Sequence, residues 1–410
     1  MFSLLVTLIV ALIAGYLVVR FNGLWVYRLF DRALERPRSN LESRFELPRY
    51  FRVGPGGGAD LEAKWPGWDG WYFFVAPEGN DIPVKMIRAS IMTGLYGLDG
   101  IDDYSALPVG LSSSHAAEYL SMAPAVDQAD GKIQRNNHLA HFYEPKQRLD
   151  LSLKELAVSM AAAAGNERCG AIQGKWPEYQ FRFSDPTSGM ECVLSYQGQD
   201  LVWWADIPGI FTYFAAFGRL MGKLTLRAGS AGPANPPAPP AVAYPIEGMG
   251  AFEHGFARKP FNFDFAYLPV RLLQKIAPGF RPIRYHYQLL VGEGGLHGGF
   301  MYARGFGIEF RNRGGIYIDG QYCELKRVKV EYLESEPGQK AAGSSRERLS
   351  FPKRWKVHAS TEAGDLEFIA AREWPPAQVS SHMIYYNHSF EGTYLGKKIQ
   401  GTGYGEYLNM

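Results

Sequence analysis

The chain has 410 residues, 46% hydrophobic and 20% charged, which is enough apolar side chain to bury a sizeable core and too much for a disordered tail. Its 43 Lys and Arg nearly balance 41 Asp and Glu, and no basic run is interleaved with aromatics, so a nucleic-acid partner is not expected. Aromatics at 14%, with 46 Gly and 26 Pro, suit many short strands joined by turns, so the body is expected to be all-β.

In chain order, the first element is FSLLVTLIVALIAGYLVV, Phe2 to Val19, uncharged and about the minimum length that spans a hydrocarbon core. No Lys or Arg precedes it and no small-residue cleavage site followed by a polar start comes after it, so a retained anchor is expected rather than a cleaved signal. Phe21, Leu24, Trp25, Tyr27, Leu29 and Phe30 extend it as an interfacial belt. Arg20, Arg28, Arg32, Arg36 and Arg38 follow on the C-terminal side, and by the positive-inside rule they place the body on the cytoplasmic side of a single-pass membrane protein.

The anchor and interfacial segment take 1–30 and a linker 31–60, with VGPGGGAD (Val53–Asp60) as a flexible joint. A first β domain covers 61–227. It opens on GWDGWYFFVAP and contains a meander over Gly174–Ile207, where aromatic and polar residues alternate between DPTSG and QGQD turn signals. Leu156–Ala164 (LAVSMAAAA) reads as helix, and Phe211–Leu224 is open between helix and buried strand. A Pro- and Ala-rich connection, 228–244, separates a second β domain, 245–410. There, strand patterns recur between Gly-rich or polar turns, and Phe265–Ile276 is the one short helix expected.

Cys169, Cys192 and Cys323 are too few and too far apart for a zinc site or a disulfide framework, and are read as reduced thiols. His138, His141 and Glu144 have an H-x-x-H spacing, but NNHLAHFYEP is a poor helix and no further ligand is spaced to complete a site, so no metal is assigned. VGEGGLHGG (Val291–Gly299) lies between strand patterns with no helix to follow, which argues against a phosphate loop.

Three passages resemble the AttH-like and hydroxyneurosporene synthase (carotenoid 1,2-hydratase) group. EGTYLGKKIQGTGYGEYLNM is similar to its closing signature at Glu391, Gly392, Gly401, Gly403, Tyr404 and Glu406. VAYPIEGMGAFEHGFARK resembles its G-x-x-W-x-D-H-x-W-G passage at Gly248, Glu253, His254 and Gly255, with Glu253 where Asp is usual and Phe252 where Trp is usual. WDGWYFF, from Asp69 through Phe73 and on, resembles the start shared with tocopherol cyclases. The resemblance implies two lipocalin-like antiparallel β-barrels in tandem behind the N-terminal transmembrane helix.

It also implies a cofactor-independent hydratase, isomerase or cyclase acting on an isoprenoid, carotenoid or lipid-like substrate. Such chemistry needs an acid in an apolar cavity to protonate a double bond, and a water or hydroxyl to trap the cation. Glu253 and His254 lead as catalytic candidates, a carboxyl beside an imidazole in a Gly-flanked turn, able to share a proton. Asp69 follows, then Glu406 beside Tyr404; each also reads as a structural turn or strand-end residue. The alternative function is a non-catalytic lipid or pigment carrier, or an accessory subunit of a membrane complex.

Overall fold

The computed structural model describes residues 34–35, 52–53, 59–60, 68–78, 82, 84–93, 116–124, 138–143, 149–152, 156–161, 168–185, 190–207, 211–226, 241–257, 283–305, 308–337, 350–372, 377–378 and 383–409. The short strands β1 (Leu34–Glu35), β2 (Arg52–Val53) and β3 (Ala59–Asp60) precede β4 (Trp68–Pro77), β5 (Val84–Thr93), β6 (Ala116–Pro124), β7 (His138–Tyr143), β8 (Leu149–Ser152) and β9 (Leu156–Ala161). β10 (Arg168–Lys175), β11 (Glu178–Asp185), β12 (Met190–Ile207), β13 (Phe211–Leu226) and β14 (Val242–Ala257) follow. The second half holds β15 (Ile283–Gly292), β16 (His297–Gly305), β17 (Ile308–Ile318), β18 (Gln321–Pro337), β19 (Ser350–Ser360), β20 (Asp365–Arg372), β21 (Ala377–Gln378), β22 (Met383–Tyr394) and β23 (Lys397–Asn409).

The strands make two large antiparallel sheets. The first runs β7-β6-β5-β4-β14-β13-β12-β11-β10-β9-β8, with β1 added on β12. Phe73 on β4 stacks on Phe181 of β11 with ring centroids 4.5 Å apart, although β14, β13 and β12 lie between those strands. Four steps across a flat sheet would separate them by about 19 Å, so this sheet curls over its own aromatic face. The second sheet runs β20-β19-β18-β17-β16-β15-β23-β22, and β20 pairs with β22 to close an eight-stranded barrel. Closure removes the sheet edges and leaves a lumen to be filled by inward-facing side chains.

The expected lipocalin-like, all-β character is therefore present, with two corrections and one open alternative resolved. Leu156–Ala161 is a strand, β9, held between β8 and β10; cross-strand hydrogen bonding on both sides outweighs the intrinsic helix propensity of its alanines. Phe211–Leu226 is also a strand, paired along its length with β12 and β14. And β14, which the sequence reading puts at the head of the second half, hydrogen-bonds to β13 and β4 inside the first sheet, so the change of sheet falls after Ala257. The Pro-rich segment that precedes β14 thus joins two neighbouring strands of one sheet.

The expected anchor (1–30), the joint at Val53–Asp60 apart from its ends in β2 and β3, and the expected helix Phe265–Ile276 lie outside the described residues. No helix among the described residues is long and apolar enough to cross a membrane. His138 and His141 fall on β7, and their side chains are also outside the described set. Cys192 is a buried free thiol whose pKa burial pushes up to about 12, and Cys323 is a partly buried one.

Candidate functional site

β14 runs through the first sheet between β13 and β4, and Glu253 sits midway along it, opposite Ala215 on one side and Tyr72 on the other. Neighbouring residues of a strand face opposite ways. Ala251, in step with Glu253, packs in an apolar cluster with Tyr287, Leu289 and Tyr404 of the second barrel. Phe252, in step with His254, packs instead on the rings of Tyr179, Phe181 and Tyr196. Glu253 and His254 are both buried, at 5% and 8% exposure, but on opposite faces of the first sheet. The expected proton-sharing pair is thereby corrected: the segment is a strand and not a turn, and alternation separates the two side chains.

The barrel meets Glu253 with β15 and β23. These strands are neighbours, and Tyr287 lies opposite Glu406 as Leu289 lies opposite Tyr404. The Tyr287 hydroxyl donates to Glu253 Oε1 across the gap between the sheets. Two residues apart on one strand face, Tyr404 donates to Glu406 Oε1 at 2.7 Å. Three of the five residues singled out from the sequence, Glu253, Glu406 and Tyr404, thus converge in a layer lined by Phe74, Val202 and Phe217 from the first sheet. The side chain of Asp69 lies outside the described residues. Its backbone sits within β4, paired with Phe256 and Thr93, and so is strand rather than turn.

A second polar link crosses the same layer. His297 at the start of β16 sends Nε2 to Asp200 Oδ2 at 2.7 Å and Nδ1 to the Gly295 carbonyl at 2.9 Å. Both ring nitrogens face oxygens, a carboxylate and a backbone carbonyl. The ring lies parallel to Tyr317, 5.1 Å between centroids, and 5.4 Å from Phe217. Asp200 owes its position to a register shift in β12 between Gly198 and Asp200, a bulge that re-aims the side chain.

Sequence reasoning missed Tyr287, Asp200 and His297. Asp200 ended a turn signal, and His297 lay in a glycine-rich stretch read only for phosphate binding. Tyr287 did carry a signal. In YHYQLLV the odd positions 285, 287 and 289 are Tyr, Tyr and Leu, and the even positions 286 and 288 are His and Gln. That alternation marks a strand buried on both faces, with phenols on one and hydrogen-bonding groups on the other.

No protein-family model and no curated protein matches the chain. Among solved structures it is similar to CghA, determined with Sch210972, at a TM-score of 0.50 and 11% identity over 84% of this chain and 89% of that one. A protein of Nitrosomonas europaea described as AttH (NE1406) gives 0.49 and 11% over 88% and 97%. Kievitone hydratase from Nectria haematococca gives 0.43 and 10% over 84% and 89%. At 11% identity the likeness to CghA concerns the fold alone: this chain shares the two-part, lipocalin-like β architecture.

Proposed function

We propose that the chain is a cofactor-independent acid–base enzyme of the hydratase, isomerase or cyclase type, acting on an isoprenoid, carotenoid or other lipid-like olefin between the curled sheet and the barrel. The observation that carries this reading is Glu253, a carboxyl group buried among apolar side chains and hydrogen-bonded at Oε1 by a phenol from the opposite sheet. The carboxyl proton of Glu253 is the one transferred. It passes to one olefinic carbon, forming a C–H bond and leaving a cation on the next. A water adds to that cation through oxygen and gives up a proton to a carboxylate; the net change is addition of one water and the acid is restored. The rings of Tyr72, Phe74 and Tyr287 supply faces that stabilise such a cation. Glu406, held by Tyr404, is a second carboxylate suited to take the proton from the water, and the cycle closes when that proton returns to Glu253.

The resemblance to carotenoid hydratases supports this substrate class. One departure from their pattern loses its force in the fold, because Phe252, standing where Trp is usual, belongs to the opposite face of β14 and packs under the first sheet. The apolar N-terminal stretch completes the proposal as a single-pass anchor, with the body on the cytoplasmic side and a membrane-dissolved substrate within reach.

The test uses extracts of cells expressing the full chain or Glu253→Gln, supplied with acyclic carotenoids in D2O and analysed by mass spectrometry. Deuterated, hydrated or isomerised product should appear with the wild-type chain and fall by about 10²–10⁴-fold with the variant. Equal turnover in the two extracts would leave the carrier reading in its place.

A further inference from the structure

The lumen of the second barrel contains a group of polar side chains that the reaction above does not use. Among the described residues, the buried side-chain nitrogens and oxygens without a hydrogen-bond partner are His286 Nδ1, Gln288 Oε1, Tyr332 OH, Trp355 Nε1, Arg372 Nη1 and both ring nitrogens of His388. All six residues belong to strands of this one barrel. Buried polar atoms elsewhere in proteins are overwhelmingly paired, so a concentration of this kind calls for a missing partner.

These residues stand together. The His286 ring is 5.7 Å from Tyr332 and 5.2 Å from Trp355, and His388 is 5.4 Å from Trp355. Arg372 lies directly opposite His388 in the β20–β22 register. The glycines of the closing signature make room for the rings: a β-carbon on Gly403 would stand 2.5 Å from the His388 ring, and one on Gly405 2.4 Å from the Tyr386 ring. Both rings therefore occupy space against bare backbone at the barrel wall. Arg372 Nη2 bonds to Glu336, whose side chain is 41% exposed while that of Arg372 is 2% exposed.

The unused atoms are mostly donors. The Gln288 amide nitrogen contacts His286 Nε2 at 2.9 Å; with Nε2 accepting, a neutral His286 carries its proton on Nδ1. Burial keeps both imidazoles neutral, His286 well below its ordinary pKa and His388 at about 3. His286 Nδ1–H, Trp355 Nε1–H, the Arg372 Nη1 hydrogens and one N–H of His388 then all seek an oxygen, within walls made of aromatic faces. A guanidinium with one free fork edge is best matched by a carboxylate.

We propose that the barrel lumen beside Arg372 is a second binding site, separate from the layer between the sheets, for a small aromatic or short-chain monocarboxylate. The carboxylate lies on Arg372 Nη1 and Trp355 Nε1, and the ligand body lies against the rings of Tyr332 and His286. Glu336 marks the end through which it enters.

Titration calorimetry of the full chain with benzoate tests this, with benzylamine as the control of like shape and opposite charge. Benzoate should bind saturably with one site per chain and benzylamine should not. Arg372→Gln should weaken benzoate at least about tenfold, the loss of a charge-assisted hydrogen bond. Trp355→Phe, which keeps an aromatic filler and removes only the donor, should weaken it several-fold while the far-ultraviolet melt stays cooperative, and it decides the matter should the Arg372 variant not fold. Glu253→Gln should bind benzoate like the wild type, which separates this site from the one between the sheets. No saturable binding to folded wild type, or equal binding to the Trp355 and Arg372 variants, would mean that the lumen holds ordered water only.

Discussion

Under the first sheet the buried rows are Phe73, Phe181, Phe183, Tyr196 and Phe252, rings packed on rings, whereas the second barrel seals His286, Gln288, Arg372 and His388 among its aromatics. Both interiors are buried, yet they serve different ends. An aromatic interior gains from burial and needs no partners. A polar one costs desolvation at every atom and persists where something repays it. The layer between them borrows from each side, an acid and apolar surface from the first sheet, phenols and a second carboxylate from the barrel. The first half is thus packing around one placed acid, and the second half concentrates hydrogen-bonding capacity.

That contrast can be broken by experiment. Phe181→Ala, which empties a fully buried position against Phe73, Tyr196 and Phe252, should cost about 3–5 kcal/mol by urea denaturation. A cost below about 1 kcal/mol would show that the first sheet is not curled over those rings.

The barrel should differ in its response to acid. Unfolded histidines take up a proton near pH 6.5, but burial holds His286 and His388 neutral far below that, with Arg284 and Arg372 as the nearby cations. Below pH 6.5 the unfolded chain therefore binds more protons than the folded one. Stability is full above pH 6.5 and is lost as pH falls toward about 3, by about 1.4 kcal/mol per pH unit for each histidine. Urea midpoints at pH 7 and pH 5 measure the slope, and His388→Gln should reduce it; an unchanged slope in that variant would remove His388 from the account.

A smaller effect sharpens the same difference. Gly405→Ala places a methyl 2.4 Å from the Tyr386 ring and should destabilise by about 1–3 kcal/mol, with Tyr386 displaced. Thermal melts of this variant beside Gly320→Ala, where space is open but φ is +74°, distinguish crowding inside the barrel from backbone strain at its surface.

Much of this was legible along the chain, unevenly. Alternation in the meander and in YHYQLLV announced strands, and WDGWYFF, the Glu253 passage and the closing signature announced one architecture. LAVSMA misled because alanine is a strong helix former, yet intrinsic propensity is a weak prior and a pair of sheet neighbours overrode it. His254 misled because adjacency in sequence suggests adjacency in space, which holds in a turn and fails in a strand. Asp200 and His297, 97 positions apart, gave no local hint of meeting.

What the sequence determined by itself was the material: an all-β composition, the two-period patterns that give each strand two distinct faces, an uncharged N-terminal stretch of spanning length, and the short list containing Glu253, Tyr404 and Glu406. Only the tertiary structure decided which face met which. Strand order put β14 in the first sheet, curling and closure turned faces into interiors, packing of the two sheets set Tyr287 against Glu253, and register set Arg372 beside His388. The physical reason is that side-chain alternation is a local property of the backbone, whereas pairing partners are chosen by non-local hydrogen bonding and burial, which no short window of residues contains.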